Sequence, residues 1–225
     1  MNYVSNLVLS DNAAWCITKS TRMDSIGKAP LKVKVVVVGS TGVGKTSIVM
    51  RLDGQGFSSK VSSTLGASFI VSSFLVSGRR IELQIWDTAG QERYMSMVPM
   101  YVRNAVAALV VYDVSMKQTF NDLNKWIAEL ERGSTSPLLL MIVGNKNDLK
   151  SARAVSFAEG EAFALQKGAL FFETSALSGA NIQRAMYALA QRLVELESTS
   201  LPSYPLIDEQ TMPNREHRSI KCCNI

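Results

Sequence analysis

Short apolar runs alternate with amphipathic segments along most of the chain. The apolar runs match strands that are buried on both faces, and they cover residues 35–38, 105–114, 138–143 and 169–172. The amphipathic segments repeat apolar side chains at helical spacing, which predicts helices over residues 45–52, 117–133, 156–168 and 179–197. The last of these helices has a stripe of Ile182, Ala185, Met186, Leu189 and Leu193.

A hairpin is predicted between the first two helices. Residues 69–76 and 81–86 are strand-like, and the Gly-containing turn "SGRR" separates them. In the second strand, alternation places Trp86 outward on the polar face, away from Ile85. Residues 53–68 and 87–100 are predicted to be loops because they are rich in small and polar side chains.

Strands that alternate with helices predict an α/β fold. We expect a six-stranded, mostly parallel sheet with helices on both faces. Ligands of such sheets bind at the carboxyl ends of the strands. The loops that follow the strands are therefore the candidate ligand site.

The loop after the valine-rich strand has the spacing of a phosphate-binding loop. Its sequence "GSTGVGKT" matches G-x-x-x-x-G-K-[ST] with Gly39, Gly44, Lys45 and Thr46, between a strand and a helix. Glycines let successive N–H groups turn toward an anion, and the helix N-terminus adds a positive dipole. Lys45 would neutralise the outer phosphates and Thr46 would ligate Mg²⁺, which predicts a P-loop NTPase fold.

The loop "DTAGQE" supplies groups suited to the terminal phosphate. Asp87 follows a strand, where it can hold Mg²⁺ as a Walker-B aspartate does. Gly90 leaves room beside a phosphate, and Gln91 can orient a water molecule because its amide both donates and accepts hydrogen bonds.

Two further loops predict a site for guanine. Asp148 in "NKND" can accept two hydrogen bonds from the guanine edge, and adenine offers neither donor, which disfavours an ATP-using kinase or ATPase. Asn145 can tie loops together, and the stem of Lys146 can lie on the base. The backbone N–H of Ala176 in "ETSAL" can reach the guanine O6, although this segment could equally be a plain strand-to-loop junction.

The composition of the chain argues against several classes of function and site. Most of the net charge of +5 lies in residues 1–34, so no nucleic-acid surface is expected on the domain. The lone His217 argues against triad hydrolysis and His-ligated zinc, and three cysteines cannot build a disulfide framework, which favours a reducing cytosol. The chain has no apolar run near the ~18 residues of a membrane span and no convincing signal peptide.

Taken in order, "GSTGVGKT", "WDTAGQE", "NKND" and "ETSA" resemble the guanine-nucleotide motifs of the Ras superfamily. The resemblance covers residues 32–196. Within it, "TLGASF", "WDTAGQERY", "PMYVR" and "VVYDV" look like the Rab family, nearest its early-endosomal branch.

This resemblance implies a role for each matching residue. The catalytic residues would be Gln91 and Lys45, and the Mg²⁺ ligands would be Thr46, Asp87 and the switch residue Thr64. An aromatic trio that reports the nucleotide state to effectors would be Phe69, Trp86 and Tyr101. The GTP or GDP would contact Gly39, Ser40, Thr41, Gly42, Val43, Gly44, Lys45, Thr46, Ser47, Thr64, Gly90, Asn145, Lys146, Asp148, Ser175, Ala176 and Leu177.

The resemblance also implies a biological role. The protein would be a slow, activator-dependent GTPase that recruits effectors in its GTP state and regulates vesicular and endosomal traffic. Its partners would be effectors, an exchange factor, a GTPase-activating protein and the chaperones of prenylation and membrane extraction. It would be a monomer on the cytoplasmic face of endosomal or other endomembranes and would cycle with the cytosol.

Two positions depart from the family pattern. Thr41 stands where Ras proteins have glycine and Rab proteins often have serine, and its methyl group lies beside the expected hydrolysis site. It motivates an alternative, a GTP-binding recruitment module with little hydrolysis. Leu177 replaces the usual lysine of "ETSAK", which removes a cationic stem from beside the base.

The two ends of the chain lie outside the expected GTP-binding domain of residues 32–197. Residues 198–225 are predicted to be a flexible tail, and Cys222 and Cys223 resemble a double geranylgeranylation site, which would supply the two lipids of a stable anchor. Residues 1–31 are predicted to be a disordered extension of unassigned function. Met23 opens a Rab-like start, so we expect the first 22 residues to be either a dispensable extension or no part of the expressed protein.

Overall fold

A six-stranded sheet lies at the centre of the computed structural model, which describes residues 27–58, 64, 67–90 and 92–199. The strands are β1 (Leu31–Val38), β2 (Ala67–Val76), β3 (Arg79–Thr88), β4 (Ala107–Asp113), β5 (Leu139–Asn145) and β6 (Leu170–Glu173). Their order across the sheet is β2-β3-β1-β4-β5-β6, and every neighbouring pair is parallel except β2 with β3. The predicted sheet is confirmed.

Helices cover both faces of this sheet. On one face lie α1 (Lys45–Leu52) and α6 (Ile182–Thr199), and on the other lie α2 (Val98–Val102), α3 (Lys117–Asn121), α4 (Leu123–Gly133) and α5 (Phe157–Gln166). Successive side chains of a strand point to opposite faces, so Val35 and Val37 enter the first core and Val36 and Val38 enter the second. Burial on both sides explains the unbroken run of valines in β1.

The β2–β3 hairpin closes through a two-residue turn. Ser77 and Gly78 both have positive φ, at 48° and 80°, between the paired residues Val76 and Arg79. Two positive φ values in a two-residue loop define a type I′ turn, whose twist matches that of the strands it joins. The predicted hairpin is confirmed.

The prediction of a loop over residues 87–100 is wrong in its second half. Residues Glu92–Met97 form a 3₁₀ helix, and α2 follows directly. Pro99 lies in the first turn of α2, where its fixed φ suits a helix, and Val98 and Val102 are buried one turn apart. Elements of five or six residues are too short to show a helical period in the sequence.

Two helix boundaries also differ from the prediction. The single helix expected over residues 117–133 is divided at Asp122, whose ψ of −7° lets its carbonyl bond to Lys125 N three residues on. The last helix begins at Ile182 rather than Gly179, because Asn181 has a left-handed φ of 60° that no α-helix accommodates. Its predicted apolar stripe is wholly buried. Within the described ranges, no helix is both long and apolar enough to cross a membrane.

Candidate functional site

The loop between β1 and α1 folds around the ammonium group of Lys45. Lys45 is only 6% exposed, and its Nζ donates to the main-chain oxygens of Gly39, over 2.7 Å, and Ser40, over 2.9 Å. Gly39 has a φ of 142°, and a Cβ there would lie 2.2 Å from Val111 O. Gly44 precedes α1 in a left-handed conformation. The sequence motif thus corresponds to a turn whose main chain surrounds the Lys45 ammonium group.

Three side-chain oxygens converge beside Lys45. Thr46 Oγ1 donates to Asp87 Oδ2 over 2.6 Å and lies 2.8 Å from Thr64 Oγ1, which is itself 3.5 Å from the same carboxylate oxygen. Burial raises the pKa of Asp87, and the hydrogen bond from Thr46 and the charge of Lys45 oppose that rise. The second oxygen, Asp87 Oδ1, is buried without a hydrogen-bond partner among the described residues.

This arrangement has the chemistry of a site for a hard cation. A buried carboxylate oxygen without a partner is costly, and a cation beside it would remove that cost. One carboxylate and two hydroxyls are oxygen ligands of the kind that Mg²⁺ prefers. The described residues contain no cluster of three or more His, Cys, Asp or Glu, so a site rich in carboxylate or imidazole is not an alternative there. The residues present therefore fit the predicted Mg²⁺.

Asn145 joins three loops at the other end of the site. Its Nδ2 donates to Val43 O over 2.8 Å, and its Oδ1 accepts from Thr174 Oγ1 and from Ala176 N, both over 3.2 Å. The side chain is 1% exposed. The expectation that Asn145 ties loops together matches this geometry, whereas the N–H of Ala176, expected to reach a base, here donates to Asn145. Nearby, Asp148 Oδ1 accepts a hydrogen bond from Ser175 Oγ over 2.5 Å.

Lys146 is held by a residue that the sequence analysis did not single out. Its Nζ pairs with Asp113 Oδ2 over 2.6 Å, and Asp113 Oδ1 accepts from both the N–H and the hydroxyl of Ser115. Burial opposes ionisation of Asp113, but the bonds from Lys146 and Ser115 outweigh it and lower the pKa of the carboxyl. The stem of Lys146 is thereby fixed at the edge of the cavity.

Most of the predicted site residues line one cavity of about 510 Å³. Those that line it are Thr41, Gly42, Gly44, Lys45, Thr46, Ser47, Thr64, Gly90, Asn145, Lys146, Asp148, Ala176 and Leu177. Five predicted residues do not line it, but each is hydrogen-bonded to the side chain of a residue that does: Gly39 and Ser40 to Lys45, Val43 to Asn145, Asp87 to Thr46, and Ser175 to Asp148. Gln91, Cys222 and Cys223 lie outside the described residues.

The cavity also contains residues that the sequence analysis missed, namely Phe57, Ser58, Thr88 and Leu149. Phe57 is 44% exposed. No sequence signal marks Phe57 as a cavity residue, because a single exposed aromatic side chain in a loop is common.

Comparison with known proteins agrees with this geometry. A family model described as the Ras family matches residues 34–195, the part of the chain that builds the sheet and the cavity. The chain belongs to the Ras family of small GTPases.

Its relatives place it among the Rab proteins of that family. Ras-related protein RABF2b of Arabidopsis thaliana is 35% identical over 201 residues, which is 89% of this chain and 100% of the relative. Ras-related protein Rab2BV of Beta vulgaris is 41% identical over 165 residues, 73% of this chain and 77% of the relative. Ras-related protein RGP2 of Oryza sativa subsp. japonica is 43% identical over 156 residues, 69% and 72% of the two chains.

The chain is thus a Rab-type GTPase, a guanine-nucleotide switch of vesicular traffic that hydrolyses GTP. Ras-like GTPases bind GTP and GDP, and Rab proteins act through effectors, exchange factors and GTPase-activating proteins. The alternative of a recruitment module with little hydrolysis is not favoured by this family membership.

The aromatic trio of this Rab-type chain lies on the second face of the sheet. Phe69 and Trp86 are opposite each other in the β2–β3 register, with ring centroids 5.3 Å apart, and Phe69 is 39% exposed. Tyr101 and Trp86 are half-buried against the second core. Trp86 faces away from Ile85, as predicted. Its face of the sheet is only partly exposed to solvent, because α2 packs against it and Gln84 on the same face is 6% exposed.

Proposed function

We propose that the cavity binds GTP or GDP together with one Mg²⁺, with the phosphates at Lys45 and the base at Asp148. The observation that carries this proposal is the convergence of Thr46, Thr64 and Asp87 on one side of the same cavity that holds Asp148 on another. Anionic phosphates need positive charge and N–H donors, and guanine needs a carboxylate acceptor. The cavity supplies both.

Each group at the phosphate end has a defined task. Lys45 balances the charge of the outer phosphates, and its bonds to the loop carbonyls keep its ammonium in place. Thr46, Thr64 and Asp87 would hold the Mg²⁺, which supplies electrostatic stabilisation of the phosphate oxygens when bound. Gln91 orients the attacking water. Because no arginine is among the described residues that line the cavity, an activating partner would supply the remaining positive charge.

Asp148 is the residue that would select guanine. Its Oδ1 is already held by Ser175 Oγ, which fixes the carboxylate for two parallel bonds to the base. Adenine would leave the base-facing side of this half-buried carboxylate without the two donors that guanine offers, which disfavours adenine.

Competition binding of GDP, GTP and ATP to the purified chain tests the base site. The parent should prefer guanine nucleotides strongly, and Asp148→Asn should weaken GDP binding by a few kcal/mol, as expected for a charged hydrogen bond. Asn147→Ala, in the same loop, is the control and should bind as the parent does. Equal affinity of the parent for GTP and ATP would reject the proposal.

Activator-stimulated turnover tests the hydrolytic assignment separately. Gln91→Leu keeps the side-chain size but cannot orient water, so stimulated hydrolysis should fall by orders of magnitude while GTP affinity holds. Thr41 is exposed and lines the cavity, so Thr41→Gly should raise the intrinsic rate if its side chain hinders Gln91. A Gln91→Leu variant that hydrolyses GTP normally would contradict the role of Gln91.

The same proposal extends to the membrane. We infer that Phe69, Trp86 and Tyr101 contact effectors in the GTP state. We further infer that Cys222 and Cys223 carry prenyl lipids, and that chaperones assist prenylation and extract the protein from the membrane. The protein would act as a monomer on endosomal membranes. The two adjacent cysteines support the anchor, since two lipids are needed for lasting residence. Changing both to serine should leave GDP binding intact and abolish sedimentation with membranes. A Cys16→Ser control should change neither. Membrane binding that survives loss of both cysteines would place the anchor elsewhere.

A further inference from the structure

A buried tryptophan of α4 is hydrogen-bonded to the phosphate-binding loop. Trp126 is 1% exposed, and its Nε1 donates to Ser40 Oγ over 3.3 Å. Ser40 is also buried, at 6% exposure, and its main-chain oxygen accepts from Lys45 Nζ. One residue of the loop therefore connects the helix to the lysine that we assign to the phosphates.

The surroundings of this contact are tightly packed. A Cβ at Gly90 would lie 1.9 Å from Lys45 Nζ and 2.9 Å from Ser40 O, so there is no room for a side chain between Gly90 and the P-loop. The helix α4 also packs against α2 and the 3₁₀ helix that follow Gly90 along the chain. Trp126 thus belongs to a helix that contacts both the P-loop and the segment after Gly90.

The N–H of Trp126 has a separate role from its ring. The ring fills the second core together with Leu123 and Ile127, and a phenyl group would keep part of this apolar contact. The N–H adds nothing to apolar packing, and at 1% exposure it requires an acceptor, which Ser40 provides. The contact therefore constrains the position of Ser40 rather than merely filling volume.

We propose that Trp126 is a positioning residue of the nucleotide site, whose indole N–H holds Ser40 so that the Ser40 carbonyl keeps Lys45 directed at the phosphates. This inference rests on the nucleotide site proposed above. Loss of the bond loosens the loop around Lys45, and bound nucleotide dissociates faster.

A double-mutant cycle on the full chain tests the inference. Trp126→Phe removes the N–H and retains an aromatic ring, and Ser40→Ala removes the acceptor and retains the main-chain oxygen. Each should raise the GDP dissociation rate about three- to tenfold, the effect of one hydrogen bond, and the double variant should be no faster than either single variant. Ile127→Val removes a methyl group from the same helix away from Ser40, and it should leave the rate unchanged.

Two kinetic outcomes would overturn the inference. Additive effects of the two single variants would mean that the residues act independently, and a rise in rate with Ile127→Val equal to that with Trp126→Phe would mean that general loosening of α4 is the cause. Failure of the parent to bind guanine nucleotides would reject the nucleotide site itself. Normal binding by the parent with unchanged variants would reject only the positioning role.

The indole N–H signal offers a readout that packing alone does not affect. The chain has three tryptophans, and Trp126→Phe identifies the signal of Trp126 in a proton–nitrogen NMR spectrum. In Ser40→Ala, that signal should shift toward the position of an N–H without an acceptor, and those of Trp15 and Trp86 should not move. An unshifted signal would overturn the inference.

Discussion

Replacing Asn145 by alanine tests whether one buried amide holds the base end of the site together. The change removes the donor to Val43 O and the acceptor for Thr174 Oγ1 and Ala176 N. These bonds connect the P-loop, the loop after β5 and the loop after β6. A single substitution therefore removes three loop contacts at once.

The expected loss follows from the number and burial of these bonds. Each intramolecular hydrogen bond contributes about 0.5–1.5 kcal/mol net, and partners left buried without a bond raise the cost. Asn145 is 1% exposed, so water cannot easily replace it. We expect Asn145→Ala to lower the free energy of unfolding by about 3 kcal/mol, and to speed nucleotide release at least tenfold because the Ala176 loop is no longer fixed.

Urea denaturation and nucleotide release, measured on the same preparations, provide the assay. Asn147→Ala is the matched control, because it removes the same side chain from the same loop while the Asn147 backbone N–H keeps its bond to Thr174 O. It should change the free energy of unfolding by less than about 0.5 kcal/mol. If Asn145→Ala were no more destabilising than this control, the central role of Asn145 would be refuted.

Two further predictions concern Gly90 and Glu159. Gly90→Ala places a Cβ 2.7 Å from Gly39 O and 2.9 Å from Ser40 O, main-chain atoms that move less freely than Lys45 Nζ, so GDP affinity, measured by calorimetry, should fall at least tenfold; unchanged affinity would mean that the loop simply moves aside. Bonds from Lys117 and Ser156 lower the pKa of Glu159 from 4.5 to about 2, so its ionised form stabilises the fold above pH 4.5 and this contribution is lost as the pH falls toward 2. Glu159→Gln should flatten the pH dependence of unfolding in that window, and an unchanged slope would contradict the assignment.

The sheet and the P-loop could be predicted because their signals are local. A strand segment buried on both faces must be apolar at every position, and residues 35–38 of β1, all valine, are. The spacing between Gly39 and Thr46 is set by the backbone path of one turn, so the motif and the geometry coincide. By contrast, the 3₁₀ helix and α2 are stabilised by burial against α4, which a stretch of five or six residues does not reveal.

Apart from the loop contacts of Asn145, the contacts that support the site could not be predicted, because they join distant parts of the chain. Trp126 and Ser40 are 86 residues apart, and Lys146, directly after β5, reaches Asp113 at the end of β4. In the sequence, Trp126 belongs to the apolar side of an amphipathic helix, and nothing there indicates that its N–H faces a loop. Phe57 is likewise assigned to the cavity only by the path of the chain after α1.

The two threonines of the proposed metal site are held in different ways by the fold. Thr46 belongs to α1, whose Ile48 and Val49 are buried in the first core. Thr64 belongs to no helix or strand, and its side-chain bonds within the described part of the chain go to Thr46 and Asp87, the two residues that would share the metal with it. If the cavity binds nucleotide as proposed, a change at the terminal phosphate would release Thr64, while the base end, fixed through Asn145, would keep its hold on the nucleotide. That separation is what a switch requires, because the nucleotide must stay bound while one loop changes position.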